Sequence, residues 1–418
     1  MNLPIETYMI ISFILALVFL SISVVLLYKI FIKRYSNSSK WISILVIIIS
    51  YITIYNYLTI EHIYFLECGM LALGILLSVI AAKVIIDDEK YKYIKAGIMI
   101  IIAVFCYQGS IAIFPMIVLT YKLLFQNNSL KKDFIDVVKI VIIYGISMLL
   151  TILFAELLMG GSRIQMDLNQ FDISNILYWL NELVVNSLGV IFPYLNIGFI
   201  VLTILVILMK KGTNGKEKAF YILKYLLIIL ASIVICIIPI VVGSGLELTP
   251  RMCIAYGSTI GLSLFTMLLI VHKNDKKYQL VIISIITIIV FIFNFSLYVI
   301  LTRQHLEVNK LDKANCEIVK EVVEKYEAET NIEVTRIAGC SKEEYMYYPG
   351  FSHAGAITQK ALNSWALRET ICYYIGRHLD YAPITEEQYA EFFAGKKWEE
   401  FSTEQIVIED GVLYFCGG

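Results

Sequence analysis

Charged residues are scarce in this sequence. Only 17% of its 418 residues are charged, 59% are hydrophobic, and the mean hydropathy is +0.75. A soluble domain of this length carries far more charge, so the composition predicts a polytopic α-helical membrane protein. The net charge of -1 provides no basic face for a phosphate backbone, so we expect no nucleic-acid partner.

Several well-known motifs are also missing. The chain has no P-loop, no HExxH, no GxSxG and no glycine-rich dinucleotide fingerprint, and none of its eight cysteines has CxxC spacing. The sequence therefore does not indicate the enzyme classes that these motifs mark. The first residues, MNLPIETYM, carry no basic region ahead of the apolar run, so we expect the first helix to be an anchor and not a cleaved signal.

Apolar stretches of about twenty residues predict the membrane helices. They lie at 10–32, 41–59, 66–86, 138–158, 190–209, 219–242, 252–271 and 279–302. Short basic segments separate many of them, and the positive-inside rule places all of these segments in the cytoplasm. The basic segments are 29–40, 90–95, 122–139, 210–224 and 272–277.

The apolar stretch 96–126 has a basic segment on each side. Because a single crossing cannot return to the side that it left, we predict a hairpin of two short helices, which brings the total to about ten membrane helices. Its tip is expected within AVFCYQGSIAIFP (103–115), where Tyr107 to Ser110 interrupt the apolar run. Polar groups at membrane depth are tolerated where they line a cavity, so the tip is a candidate cavity floor.

The composition changes near residue 303. We predict a transmembrane domain over 1–302 and a small α/β domain over 303–418, which follows the last helix on the extracytoplasmic side. Thr385 and Gln388 form a capping-box pattern ahead of a short helix. The pair Asp410-Gly411, within IVIEDGVLYFC, is typical of a type I′ hairpin turn.

Acidic residues near the predicted outer helix ends are candidates for acid–base chemistry. Glu61 lies in TIEHIYFLE between the second and third helices, together with His62 and Glu67. A carboxylate there could act as a general base or hold a divalent metal, and it could equally be a solvated loop charge. Glu156 lies inside an apolar span near its outer end, where a carboxylate is functional, extends to the membrane surface or is hydrogen-bonded in a structural role.

Two arginines are candidates for binding an anion. Arg251 follows Pro250 at the predicted start of a helix, where a guanidinium and free helix N–H groups can meet the same phosphate. Arg163, in GGSRIQ, is the second candidate. Contact with lipid headgroups is the alternative explanation for both residues.

Three segments resemble parts of the bacterial Gtr-type membrane glucosyltransferases: FCYQGSIAIFPMIVLTYKLL, TPRMCIAYG and KKWEEFSTEQIVIEDGVLYFC. The resemblance implies a GT-C-like fold and transfer of a sugar, usually glucose, from undecaprenyl phosphate on the outer face to a cell-surface polysaccharide. It therefore implies membrane lipid, a lipid-linked sugar donor and a polysaccharide acceptor as partners. A divalent metal stays open as a cofactor.

The resemblance also suggests roles for individual residues. Such enzymes use an acidic residue in the first outer loop as the base, and the helix ahead of this loop is not found here, so we expect Glu6 to be a remnant of the loop. Chemically, Glu61 or Glu6 suits the base and Arg251 suits the leaving phosphate. Tyr107 and Gln108 suit hydrogen bonds to sugar hydroxyls.

Two other functions are compatible with the sequence. One is a noncatalytic membrane scaffold or inactive homologue whose outer domain binds a partner. The other is a lipid-linked sugar transporter, which should show internal repeats or several charged residues within its spans. The sequence shows no such repeat, and Glu156 is the main mid-span charge.

Overall fold

The computed structural model describes residues 5–35, 39–65, 67–126, 130–159, 173–242, 248–274, 277–341, 362, 366–396, 398 and 401–417. The chain divides into two compact units, Met1–Tyr298 and Val299–Gly418. Helix α13 (Lys277–Thr330) contributes residues to both.

The first unit is helical. Its helices ahead of α13 are α1 (Ile5–Ile32), α2 (Lys40–Ile54), α3 (Ile60–Ile63), α4 (Cys68–Ile86), α5 (Lys92–Cys106), α6 (Ile113–Thr120), α7 (Leu130–Met159), α8 (Ile173–Val184), α9 (Leu195–Leu208), α10 (Gly215–Val242), α11 (Ile254–Gly257) and α12 (Thr259–Asn274). Short 3₁₀ turns cover Gln108–Ala112, Ser187–Gly189 and Pro250–Met252, and a π-helical turn covers Tyr121–Phe125.

Six of the described helical segments are long and apolar enough to cross a membrane. They are Thr7–Ile32, Cys68–Ile86, Gln108–Phe125, Gly215–Ile238, Ile254–Asn274 and Lys277–Thr330. Helices α2 and α9 are also apolar but shorter. These lengths and compositions support a membrane-embedded helical protein, and the count of about ten spans stays a prediction.

Polar contacts gather the basic segments at one end of the first unit. The contacts are Lys33 Nζ to Asp87 Oδ1 at 2.6 Å, Arg34 Nε to the Tyr121 hydroxyl at 2.8 Å, the Tyr93 hydroxyl to Asp136 Oδ1 at 3.0 Å, the Tyr221 hydroxyl to the Leu124 carbonyl at 2.7 Å and the Lys211 amide to Asn274 Oδ1 at 2.9 Å. The structure therefore brings together the segments that the charge pattern places on one side.

The chain breaks where the hairpin tip is predicted. Helix α5 begins at the basic end and stops at Cys106, and Tyr107 is extended, with φ −170° and ψ 128°. The chain then returns through 108–125 to Tyr121, whose hydroxyl bonds to Arg34 at the basic end. The break and the return agree with the predicted hairpin, while its role as a cavity floor stays a prediction.

Three predicted helices are shorter or more broken than expected, and one of them, predicted over 190–209, begins only at Leu195. The helix predicted over 41–59 ends at Ile54, because the Asn56 side chain accepts the Leu58 amide at 3.0 Å and so favours a turn. The helix predicted over 252–271 is divided into a 3₁₀ turn, α11 and α12. The hydroxyls of Ser258 and Thr259 bond to the Ala255 and Tyr256 carbonyls near this junction and compete with the backbone ladder.

The second unit combines helices with a four-stranded sheet. Its strands are β1 (Arg336–Ser341), β2 (Asp380–Tyr381), β3 (Ile406–Glu409) and β4 (Val412–Gly417), in the order β2-β1-β4-β3. Strand β1 is parallel to β2 and β4, and β3 is antiparallel to β4. Helix α14 (Leu367–Ile375) packs on the sheet through Leu367 and Ile371, and α15 (Glu386–Phe392) follows β2.

Local predictions in this unit hold. The capping box is present, because Thr385 Oγ1 accepts the Gln388 amide at 3.2 Å and the Gln388 side chain accepts the Thr385 amide at 3.0 Å. Asp410 and Gly411 both have positive φ, 46° and 70°, as a type I′ turn requires.

Candidate functional site

A buried ion pair connects two segments that are far apart in sequence. The Arg251 side chain donates from Nη1 to Glu61 Oε1 at 2.6 Å, and the Arg251 backbone N–H donates to Glu61 Oε2 at 2.6 Å. The Glu61 side chain is 1% exposed, whereas the Arg251 side chain is 28% exposed. The carboxylate is thus fully enclosed, and part of the guanidinium stays accessible.

Local structure explains why these two residues meet. Glu61 lies in the short helix α3, within the connection that follows the Asn56 turn. Pro250 opens the turn Pro250–Met252, which leaves the Arg251 amide free to donate to a side chain. The guanidinium also stacks 4.4 Å from the ring centroid of Phe65, so a cation–π contact supports its orientation.

The predicted hairpin tip packs against this pair. The ring of Tyr107 lies edge-on to His62, with centroids 5.3 Å apart, and its side chain interacts with Arg251. Gly109 lies so close to Arg251 that a Cβ atom there would be 2.7 Å from the Arg251 carbonyl oxygen. The absence of a side chain at Gly109 therefore allows the tip to contact the Arg251 backbone.

Burial and charge determine the protonation of the site. Burial raises the pKa of Glu61 above its ordinary value, and the guanidinium of Arg251 opposes this rise. Burial and the Arg251 cation lower the pKa of His62 to about 3, so the imidazole is neutral near pH 7. Neither ring nitrogen of His62 has a hydrogen-bond partner among the described residues. A neutral imidazole without a hydrogen bond to any described residue therefore adjoins the ion pair.

The structure brings together some of the predicted site residues. Glu61, Arg251 and Tyr107 form one cluster, and Gln108 follows Tyr107 as a half-buried residue at the start of the 3₁₀ turn. Glu6 and Glu156 lie in α1 and α7, but their side chains are outside the described part of the chain, as is all of Arg163.

Sequence reasoning gave no role to Phe65 or Gly109, and it mentioned His62 only as a neighbour of Glu61. Only the proximity of His62 and Phe65 to Glu61 in the sequence could have suggested them. The described residues contain no group of three or more His, Cys, Asp or Glu side chains placed to hold a metal.

Replacing Gly109 with alanine should disturb this cluster. The added Cβ would lie 2.5 Å from a Tyr107 ring carbon as well as 2.7 Å from the Arg251 carbonyl oxygen, so one backbone segment must move. We expect the free energy of unfolding to fall by about 1–3 kcal/mol, as for other overpacked sites. Thermal unfolding in detergent measures this change.

Gly97→Ala in α5 is the matched control. A Cβ at Gly97 meets nothing within 4 Å, so alanine should be neutral or stabilise the helix by up to about 1 kcal/mol. Equal destabilisation by the two substitutions would contradict a specific close approach at Gly109.

The glucosyl transferase GtrII family matches residues 8–260, which is more than half of the chain. No curated protein and no solved structure matches the sequence. Glu61, Tyr107 and Arg251 all lie inside the matched region, and α13 and the sheet-containing unit lie beyond it. The chain therefore belongs to the GtrII glucosyltransferase family.

Proposed function

We propose that the chain transfers a sugar, glucose in the simplest case, from a polyprenyl-phosphate carrier to a cell-surface glycopolymer on the outer face of the membrane. The family supports glycosyl transfer in general. The use of a polyprenyl-phosphate donor is supported by the Glu61–Arg251 pair. This pair presents a partly accessible guanidinium beside the helix break at Tyr107.

In the proposed reaction, an acceptor hydroxyl oxygen forms a bond to the anomeric carbon of the sugar while the bond from that carbon to the phosphate oxygen breaks. The bonding electrons leave with the phosphate, and the hydroxyl proton passes to a carboxylate. The departing phosphate gains negative charge, so a fixed guanidinium lowers the barrier by stabilising this charge. We assign that role to Arg251.

The environment of Glu61 favours a positioning role. Both of its oxygens accept hydrogen bonds from Arg251, and its side chain is enclosed, so it is poorly placed to take a proton from a bulky acceptor. We therefore propose that Glu61 orients Arg251. Glu6 and Glu156 remain the candidates for the base.

The sugar would lie near the hairpin tip. Tyr107 already interacts with Arg251, and Gln108 is the next residue, so both can reach a group bound to the same phosphate. We propose that they bond to sugar hydroxyls.

The proposed orientation follows the distribution of charge. The basic segments gather at one end of the first unit, and the positive-inside rule supports a cytoplasmic location for that end. The connections that carry Glu61 and Arg251 would then face outward, and we propose that the C-terminal α/β domain is extracytoplasmic as well.

Sealed membrane vesicles test the reaction and its sidedness together. Vesicles of both orientations would receive labelled undecaprenyl phosphoglucose and an impermeant cell-wall polymer. We expect label in the polymer with right-side-out vesicles and very little with inside-out vesicles. Transfer in inside-out vesicles alone would reverse the proposed orientation. If no sugar is transferred even after detergent solubilisation, the proposed glycosyltransferase activity is wrong and the noncatalytic scaffold is favoured. If the lipid-linked sugar crosses the membrane without transfer to the polymer, the transporter is favoured.

A further inference from the structure

A cavity of about 340 Å³ lies between helices of the first unit. Ile52 of α2, Phe199 of α9 and Ile260 of α12 form three of its walls, and Val290 and Phe293 of α13 form the fourth. It is an open groove, because two residues on its edge, Phe192 and Ile289, are 68% and 60% exposed.

The few polar groups in this groove are occupied by the protein. Asn56 donates to the Thr53 carbonyl at 3.1 Å and accepts the Leu58 amide at 3.0 Å. The Asn294 side chain donates to the Tyr55 carbonyl. A ligand would therefore find almost exclusively apolar surface, which suits a hydrocarbon chain and gives no hydrogen bonds to a polar ligand.

The groove is lined in part by the two chain segments that carry the ion pair. Two of its lining residues, Asn56 and Tyr57, belong to the same connection as Glu61. A third lining residue, Gly257, ends helix α11, which follows the turn that contains Arg251. The other lining residues belong to α2, α9, α12 and α13, apart from Ile191 and Phe192, which precede α9. A molecule that reaches Arg251 and fills the groove needs a charged head and a long apolar tail.

We propose that this groove binds the hydrocarbon tail of the lipid-linked sugar donor, with the phosphate directed towards Arg251. The inference rests on the proposed function and adds a separate binding site for the lipid. Burial of each methylene group favours binding, so a tail that fills the groove increases affinity for a long-chain donor over a short-chain one.

Val290→Trp tests the site, because an indole at this wall occupies the space of the tail. Transfer would be measured with undecaprenyl phosphoglucose and with a donor that carries a five-carbon isopentyl chain. We expect KM for the long-chain donor to rise by about tenfold or more and KM for the short-chain donor to stay unchanged. Val281→Trp is the matched control, because Val281 lies on the same helix, is exposed, and does not line the groove.

A crosslinking measurement covers the case in which Val290→Trp fails to fold. Wild-type protein would be irradiated with a long-chain donor that carries a diazirine in its tail, followed by peptide mapping. Label in the peptides that contain Ile52 or Phe293 supports the proposal if unlabelled long-chain donor reduces that label.

Two results overturn the proposal. One is a folded Val290→Trp protein in which the ratio of KM for the long-chain donor to KM for the short-chain donor is unchanged. The other is label that a phospholipid displaces as well as the unlabelled donor does. Competed crosslinking without any transfer would reject the reaction and keep the lipid site.

Discussion

Arg251→Ala should reduce sugar transfer by at least about 100-fold to 1,000-fold, which is the range for loss of one preorganised donor to a developing anion. The substitution also leaves the Glu61 carboxylate buried without its cation, since that side chain is 1% exposed. Breaking a buried pair in this way lowers the free energy of unfolding by about 3–5 kcal/mol. Transfer rates and thermal unfolding in detergent measure the two effects.

The double variant Glu61→Gln/Arg251→Ala separates chemistry from folding. The amide carries no charge, so we expect much of the thermal stability to return while transfer stays low. Recovery of transfer in the double variant would show that Arg251 acts only as the counter-ion of Glu61. Arg303→Ala is the matched control, because Arg303 is 81% exposed and pairs with Glu307 on the surface, so its loss should change stability by about 0.5 kcal/mol or less.

Glu61→Ala should lower kcat/KM by about 100-fold, because a small misplacement of a group that binds the reacting phosphate reduces the rate by this order. The two 2.6 Å hydrogen bonds that hold the Arg251 backbone and side chain would both be lost. Glu61→Gln keeps the shape and one acceptor oxygen, so we expect an intermediate loss. Kinetics with varied donor concentration would measure KM and kcat separately.

The pattern of the loss distinguishes positioning from base catalysis. A positioning role predicts that KM for the donor rises in Glu61→Gln and that kcat is partly retained. A drop in kcat of about 100-fold to 10,000-fold with an unchanged KM would instead assign Glu61 as the base. Glu67→Gln is the control, because Glu67 lies in the same connection and is exposed, so its amide should behave like wild type.

Local patterns were sufficient for the membrane class and for short motifs. Hydropathy predicted the helical spans, and the Asp410-Gly411 turn and the Thr385 capping box both appear as expected. Each depends on residues within a few positions of one another, where backbone geometry and nearby hydrogen bonds decide the outcome. The helix ends near Asn56 and Ser258 were missed, because side-chain hydrogen bonds there override an apolar pattern.

The contact between Glu61 and Arg251 could not be predicted from local sequence patterns. Glu61 and Arg251 were named as separate candidates with different roles, and no pattern in either segment points to the other across 190 positions. Their contact depends on the packing of α3 against the turn at Pro250, and on the close approach of Gly109. The groove likewise needs walls from α2, α9, α12 and α13 at once.

The sequence alone indicated that this protein is apolar and mostly helical and that charged residues become denser after about residue 303, because burial preference and backbone periodicity act on neighbouring residues. Its short segments also pointed to the glucosyltransferase family. Only the tertiary structure decided that the Glu61 carboxylate is enclosed and shared between the side chain and the backbone of Arg251. Such a contact between distant segments arises from the packing of the whole helical unit, which sets distance, exposure and electrostatic environment together.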